Sequence, residues 1–106
     1  MACKPEFVEY VCAQLSGAGQ IRRRKMFGDY GLYCDGVFFA LACDDQLFIK
    51  ITSDVKALHP ELSTAPPYDG AKDHFLIDDL DARERLTQIT TLTCMALAKS
   101  NKRRKN

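Results

Sequence analysis

Three features of this 106-residue sequence predict an α+β fold, in which helices pack on one antiparallel sheet in the order α-β(3)-α-β(2)-α. Two short turn signals, Asp35-Gly36 and Asp44-Asp45, separate apolar runs of strand length. Segments with helical periodicity lie near both ends of the chain. The hydrophobic content of 46% is enough for one core, so we expect a single domain over residues 1–99.

The first element is predicted to be a helix over residues 5–15. Pro5 suits the first helical turn, and the glycine-containing run of residues 16–19 ends the helix. The apolar residues expected on its buried face are Phe7, Val8, Val11, Cys12 and Leu15.

An antiparallel meander of three strands is predicted next. The first strand covers residues 21–27, is kinked over residues 28–31 and continues over residues 32–34. The second, residues 37–43, is apolar on both faces, which suits a central strand covered by helix on one side and by a partner or more chain on the other. The third, residues 46–51, alternates in a way that buries one face more deeply than the other.

The second half of the chain is predicted to hold two helices and two short strands. These are a short helix over residues 53–58 capped by Ser53, an edge strand at 66–68, a strand at 74–77 and a long helix from about residue 78 to Lys99. The stripe expected to be buried on the long helix is Ala82, Leu86, Ile89, Thr93 and Ala96. The tail over residues 100–106 has nothing to pack against, so we expect it to be disordered.

The five cysteines are odd in number and include no C-x-x-C pair, which argues against a disulfide framework and a zinc site. No apolar run reaches membrane-spanning length, and the first residues lack the order of a secretory signal. We therefore expect reduced thiols, a cytoplasmic protein, and neither a metal nor a cofactor. Cys34, beside the predicted hairpin turn and near arginine side chains, is either a redox-sensitive thiol with a lowered pKa or a buried apolar residue, as free cysteines more commonly are.

Basic residues are concentrated in two clusters, although the formal net charge is only +1. Residues 26–98 carry twelve acidic and five basic residues. Either cluster is a candidate for phosphate contact, because clustered cations release condensed counterions from nucleic acids. Alternatively, strand alternation sends half of the first cluster to each face, where it pairs with acids, and the second cluster is a solubilising tail. The candidate nucleic-acid-binding residues are Arg22, Arg23, Arg24, Lys25, Lys102, Arg103, Arg104 and Lys105.

The order of elements and one glycine-rich motif resemble the N-terminal domain of the TfoX/Sxy family of competence regulators. The run RRKMFGDYGLYCDGVFF contains the specific part of the resemblance, with weaker matches at Phe48, Lys50, Pro67 and Tyr68. The resemblance implies a two-layer fold like that of secretion chaperones and a structural role for the motif. The matching residues are Arg24, Met26, Phe27, Gly28, Tyr30, Gly31, Tyr33, Asp35 and Gly36.

Two positions depart from the family pattern. Asp29 stands where the family usually has a second glycine, and the last helix lacks a tryptophan that is often found there. Family members known as competence regulators also have a second, helical half that is credited with nucleic-acid contact, and we expect this chain to lack it.

The leading hypothesis is a non-enzymatic regulatory binding module that acts through protein contact, with a homodimer suggested by the two apolar faces of residues 37–43. The alternative is direct, non-specific DNA binding in the transcriptional regulation of competence genes, as the resemblance implies. No nucleophile, base and oxyanion donors can be assembled from the sequence, so we expect no enzyme and infer no small-molecule substrate. His59 and His74 are expected to be structural or surface residues, and Met26 and Phe27 to lie in the core.

Overall fold

The computed structural model describes residues 3–26 and 29–104, with side chains through residue 99. In this part of the chain, three α-helices pack on one face of a six-stranded antiparallel sheet, so the predicted α+β class is confirmed. The elements are α1 (Pro5–Leu15), a 3-10 turn (Ser16–Ala18), β1 (Ile21–Met26), β2 (Asp29–Cys34), β3 (Val37–Cys43), β4 (Gln46–Lys50), α2 (Ser53–Leu58), β5 (Ser63–Ala65), β6 (His74–Ile77) and α3 (Arg83–Arg104). No helix among these is long and apolar enough to cross a membrane.

The strand order is β1-β2-β3-β4-β6-β5, and the first four strands form the meander. The sequence predicted three strands here, with one kinked strand over residues 21–34. That segment is instead two antiparallel strands, in which Ile21 pairs with Cys34 and Met26 with Asp29. Chain reversal lets β2 hydrogen-bond to β1 on one side and to β3 on the other, which satisfies backbone groups that one kinked strand would leave unpaired. Phe27 and Gly28, at the reversal, lie outside the described residues.

Both predicted two-residue turns are confirmed. Asp35 and Gly36 have φ angles of 49° and 84°, as a type I′ turn requires. Asp44 and Asp45 adopt φ angles of 51° and 57° without any glycine, which aspartate tolerates better than most residues.

The bounds of β5 and the N-cap of α2 differ from the prediction. β5 covers Ser63–Ala65 rather than residues 66–68, because proline has no N–H to donate to a strand ladder. The N-cap residue of α2 is Thr52 rather than Ser53, although the helix itself covers the predicted residues.

The last helix, α3, begins later and ends later than predicted. It starts at Arg83, so the acidic residues 78–81 precede it. It runs to Arg104, so the backbone of residues 100–104 is helical where the sequence predicted a disordered tail. Basic residues at a helix C-terminus interact favourably with the helix dipole, which suits this extension.

The core lies between the sheet and the helices. One row of cross-strand neighbours, Leu32, Ala40, Ile49 and Phe75, is almost fully buried across the middle of the sheet. The helices bury Val8, Val11, Leu15, Val55, Leu86, Ile89, Thr90 and Thr93 on the same side. Burial of each large apolar side chain contributes roughly 1.5–3 kcal/mol, which fixes this side of the sheet against the helices.

Candidate binding cleft on the helix-free face

The opposite face of the sheet has no helix on it among the described elements, and we call it the helix-free face. Side chains that alternate away from the core lie here. One row crosses the sheet: Arg22 pairs with Tyr33, Tyr33 pairs with Phe38, and Lys50 pairs with His74. This face therefore combines aromatic rings with cationic groups.

A cleft of about 690 Å³ opens on the helix-free face. Strand β3 supplies Phe38, Leu41 and Cys43, and the loop between β5 and β6 supplies Tyr68, Ala71 and Lys72. The other residues that line the cleft are Met26, Asp29, Tyr30, Lys50 and His74. Its volume and its mixture of apolar walls with a few polar groups are typical of ligand sites in proteins.

The Phe38 ring contacts both an aromatic ring and an ammonium group. Its centroid lies 5.2 Å from that of Tyr33, with a tilt of 33° between the rings. The Nζ atom of Lys50 lies 4.2 Å from the Phe38 centroid, within the range of a cation–π interaction. Partial burial lowers the pKa of the Lys50 ammonium group from its usual value. Among the described residues, no carboxylate lies within 4.0 Å of this ammonium.

Gly31 makes room for one wall of the cleft. A Cβ atom at this position would lie 2.5 Å from Met26 Cε and 3.1 Å from Phe38 Cε1. Met26 therefore lies across Gly31 against Phe38, half-buried on the helix-free face. This corrects the expectation that Met26 belongs to the core, since strand alternation turns it to the other side of β1.

The structure divides the first basic cluster between two faces. Arg22 and Arg24 pair with Tyr33 and Gly31 and lie on the helix-free face, while Arg23 and Lys25 lie on the helix side. Arg23 Nη2 is 4.0 Å from Glu9 Oε1 on α1, an exposed pair worth little stability. The second cluster lies at the end of α3, where the backbone is described for residues 102–104, and Lys105 lies outside the described residues.

Comparison with known proteins assigns the family. The sequence model of the TfoX N-terminal domain matches residues 13–96, which include β1, the glycine-rich motif and most of α3. This chain belongs to the TfoX N-terminal domain family. A protein of Spirochaeta aurantia, described as an uncharacterized 12.7 kDa protein in the trpE 5′ region, is 29% identical over 98 residues. That similarity covers 92% of this chain and 85% of the relative.

The motif of this TfoX N-terminal domain builds the cleft and the turn beside it. Tyr30 lines the cleft and Tyr33 packs on Phe38. Asp35 Oδ1 accepts a hydrogen bond of 2.9 Å from the Gln20 backbone N–H, which ties the first hairpin turn to the segment before β1. The structural role that the resemblance implies for the motif stays a prediction.

The thiols of this TfoX N-terminal domain are buried or half-buried. All five cysteines are free, and Cys3, Cys34 and Cys43 are buried. Burial raises the pKa of Cys34, and burial with the nearby Asp29 carboxylate raises that of Cys43 to about 12. Cys34 therefore fits the buried apolar alternative, because a reactive thiol needs a lowered pKa.

Both histidines are held by neighbouring polar groups. His59 lies between Glu61 and Gln88, with its ring nitrogens 3.2 and 3.1 Å from their side-chain oxygens. His74 Nδ1 lies 2.9 Å from the Lys72 carbonyl oxygen, so this ring is fixed by its own loop. Within the described residues, no three or more His, Cys, Asp or Glu side chains are grouped as metal ligands would be.

Sequence reasoning missed most of the cleft. Its β3 residues were assigned only a general apolar face, and Lys72 and His74 were not connected with the motif. One signal was present: Lys50 directly follows three buried apolar residues in its strand, and a lysine near an apolar core needs its own polar surroundings. The loop over residues 66–73 is far from the motif in the sequence, so its contribution to the cleft could not be predicted.

Proposed function

We propose that this TfoX N-terminal domain is a non-enzymatic regulatory binding module that acts by contact with a partner protein on its helix-free face. The observation that supports this proposal is the cleft, which leaves aromatic and apolar side chains of several strands accessible. Apolar surface of this kind on a folded domain commonly marks an interaction site. The wider family's competence regulators support a role in gene expression during competence, and the free thiols suit the reducing cytoplasm.

The charge of this face favours an acidic partner. Arg22 and Arg24 are exposed beside the cleft, and Lys50 and Lys72 line it, whereas Asp29 is the acidic residue among its lining side chains. Asp29 Oδ1 also accepts a long hydrogen bond of 3.4 Å from the Asp44 backbone N–H. Complementary charge steers partners and orients them, so we expect carboxylates around an apolar centre on the partner surface.

Site-specific photo-crosslinking in the native cells tests the proposal. A photoreactive residue at Tyr68, which is 60% exposed at the cleft, is compared with one at Leu58, which is 57% exposed on α2 on the helix side. We expect a discrete adduct from position 68 that is absent at position 58 and is lost when Arg22 and Arg24 are changed to Gln. Equal adducts at both positions, or no adduct at position 68, would refute the proposal.

The homodimer stays a prediction. Two copies that meet through their helix-free faces would bring like charges together at Lys50 and Lys72, which costs affinity unless anions bind between them. Multi-angle light scattering at high protein concentration checks the dimer, and a strict monomer there would exclude it.

Non-specific DNA binding is the second candidate function. Its specific support is that Arg22 and Arg24 lie on the same face as Lys50 and Lys72, so four cations are available to one polyanion. In β1 only alternate residues of the basic run contribute, which limits the number of phosphate contacts from this cluster.

A further inference from the structure

The Lys50 ammonium group has an unusual environment for a cation. It projects into the cleft over an aromatic face, and burial weakens its contact with water. Lysine is seldom buried without a partner, because removing an ammonium ion from water is costly. Since none of the described carboxylates pairs with it, an anion that enters the cleft would replace the lost hydration.

Apolar groups surround this cation on the floor of the cleft. The Phe38 ring lies under the cation, the Leu41 side chain also lines the cleft, and Met26 packs across Gly31 against Phe38. An aromatic ring or a branched aliphatic group can stack on such a floor, and offset ring stacking adds about 0.5–1.5 kcal/mol to burial alone. The arrangement selects ligands that join an apolar body to one negative charge.

Of the other polar residues that line the cleft, Lys72 also favours a negatively charged ligand. Lys72 adds a second cation from the loop between β5 and β6, and His74 lies opposite Lys50 in the strand register. Asp29 lines the end formed by β2 and Cys43. An anion at Lys50 would therefore have a second cation, Lys72, in the lining of the same cleft.

We propose that this cleft binds a small organic carboxylate with an aromatic or branched apolar body, whose carboxylate pairs with Lys50 while its body packs on Phe38 and Leu41. The volume of about 690 Å³ accommodates a molecule of this class. The inference goes beyond protein contact, and it stands without a partner because the isolated chain provides every group that it uses. A ligand at this place would also change the charge of the helix-free face.

Titration of the full chain with 3-phenylpropionate and with its neutral amide, 3-phenylpropionamide, tests the site. Backbone amide NMR shifts locate the bound molecule, and the shift curves give the affinities. We expect the acid to bind at least about tenfold more tightly than the amide, as a charge-assisted hydrogen bond provides. Shifts should be concentrated at β3, β4 and residues 68–74.

Two variants separate the charge of Lys50 from general effects. Lys50→Met keeps the apolar stem and should remove the preference for the acid, whereas Lys50→Arg should retain much of it. Lys56→Met, at an exposed position on α2, is the matched control and should leave both affinities unchanged.

Three results would overturn the site. They are equal affinity of acid and amide for the unaltered chain, shifts spread outside the cleft, and absence of binding by either probe. Because these readings come from the unaltered chain, they hold even where Lys50→Met does not fold. They are also independent of the crosslinking result, so failure of the ligand site and failure of the partner proposal can be told apart.

Discussion

At the residue scale, aspartates in the tight turns also make contacts with distant parts of the chain. Asp35 accepts a hydrogen bond from Gln20, and Asp45 Oδ1 accepts one of 2.9 Å from the Lys4 backbone N–H at the start of α1. The Asp45 backbone N–H in turn lies 3.2 Å from Cys3 Sγ. The second turn therefore fixes the N-terminal end of α1 as well as the β3–β4 hairpin.

Substitution of Asp45 tests this double role. Asp45→Ala removes the acceptor for Lys4 and places alanine at a positive φ angle, so we expect a loss of about 1–2 kcal/mol in the free energy of unfolding. Asp45→Asn keeps an acceptor and tolerates the backbone, so its loss should be less than half as large. Urea unfolding followed by circular dichroism measures both, and equal losses would contradict the assigned role.

The buried thiols give a prediction about chemical reactivity. The pKa values of Cys43 and Cys94 are raised to about 12, mainly by burial. Because the thiolate is the reactive form, iodoacetamide at pH 8 should modify these residues at least about 100-fold more slowly in the native chain than in denaturant. Peptide mapping by mass spectrometry provides the rates, and similar native and denatured rates would contradict it.

The same shifts predict how stability depends on pH. A raised pKa in the folded state means that the unfolded chain releases these thiol protons first as pH increases. The contribution is complete below the ordinary pKa of 9.0 and is lost as pH rises toward about 12. We expect the midpoint of urea unfolding to fall over this range, and to fall less when Cys43 and Cys94 are both replaced by Ala.

At the element scale, an irregularity in β3 and two threonines in α3 fit the helices to the sheet. The β2–β3 register shifts between Leu32 and Tyr33, which leaves Phe39 as an extra residue in β3. Phe39 and Ala40 are both fully buried, so the bulge supplies a large side chain to the core while Phe38 remains on the helix-free face.

On α3, Thr90 and Thr93 are buried polar residues with different surroundings.

The two threonines form a matched pair. Thr93 Oγ1 donates a hydrogen bond of 2.7 Å to the Ile89 carbonyl oxygen, whereas Thr90 Oγ1 has no partner within the described residues. Thr90→Val should therefore stabilise the protein by about 1 kcal/mol, because it removes an unsatisfied hydroxyl. Thr93→Val should be neutral or destabilising by about 1 kcal/mol, because it loses a bond.

Thermal and urea unfolding of both variants checks this difference. Valine and threonine have similar helix propensities, so the comparison isolates the hydroxyl. A gain at position 93 that equals the gain at position 90 would show that the Ile89 hydrogen bond contributes nothing to stability.

At the scale of the whole molecule, the two faces of the sheet have different roles. The helix side contains the core and the Arg23–Glu9 pair, while the helix-free face holds the cleft and the two other arginines of β1, Arg22 and Arg24. The helix-free face thus carries Arg22, Arg24, Lys50 and Lys72, although residues 26–98 as a whole carry more acidic than basic residues. Because the basic residues of β1 are divided between the two faces, substitutions on each face can distinguish contact through the helix-free face from a general attraction of charge.

Paired substitutions in β1 test DNA contact through that face. If DNA binds there, Arg22→Gln with Arg24→Gln should reduce the slope of log affinity against log salt by about 2. The matched control, Arg23→Gln with Lys25→Gln, removes the same charge from the helix side and should change the slope less. Fluorescence anisotropy of a labelled duplex at several salt concentrations measures both, and equal effects would exclude a face-specific contact.

The local sequence determined the helices, the tight turns and the apolar strands of this protein. The range of α1, the turns at Asp35-Gly36 and Asp44-Asp45, and the burial of Leu86, Ile89 and Thr93 follow from neighbouring residues, because positive φ angles and side-chain periodicity are local properties. The rest of the stripe predicted for the last helix differs, since Ala82 precedes α3, Ala96 is only half-buried, and the buried Thr90 was not predicted. The resemblance to the TfoX N-terminal domain rested on the same kind of local pattern.

Only the tertiary structure decided how these elements combine. Pairing of β1 with β2 turned a supposed kink into a hairpin, and placement of β6 between β4 and β5 brought His74 beside Lys50. The cleft then depends on residues from β1, β2, β3, β4 and β6 and on the loop before β6. Strand register and loop position are set by long-range packing and hydrogen bonding, which leave little trace in any short stretch of sequence.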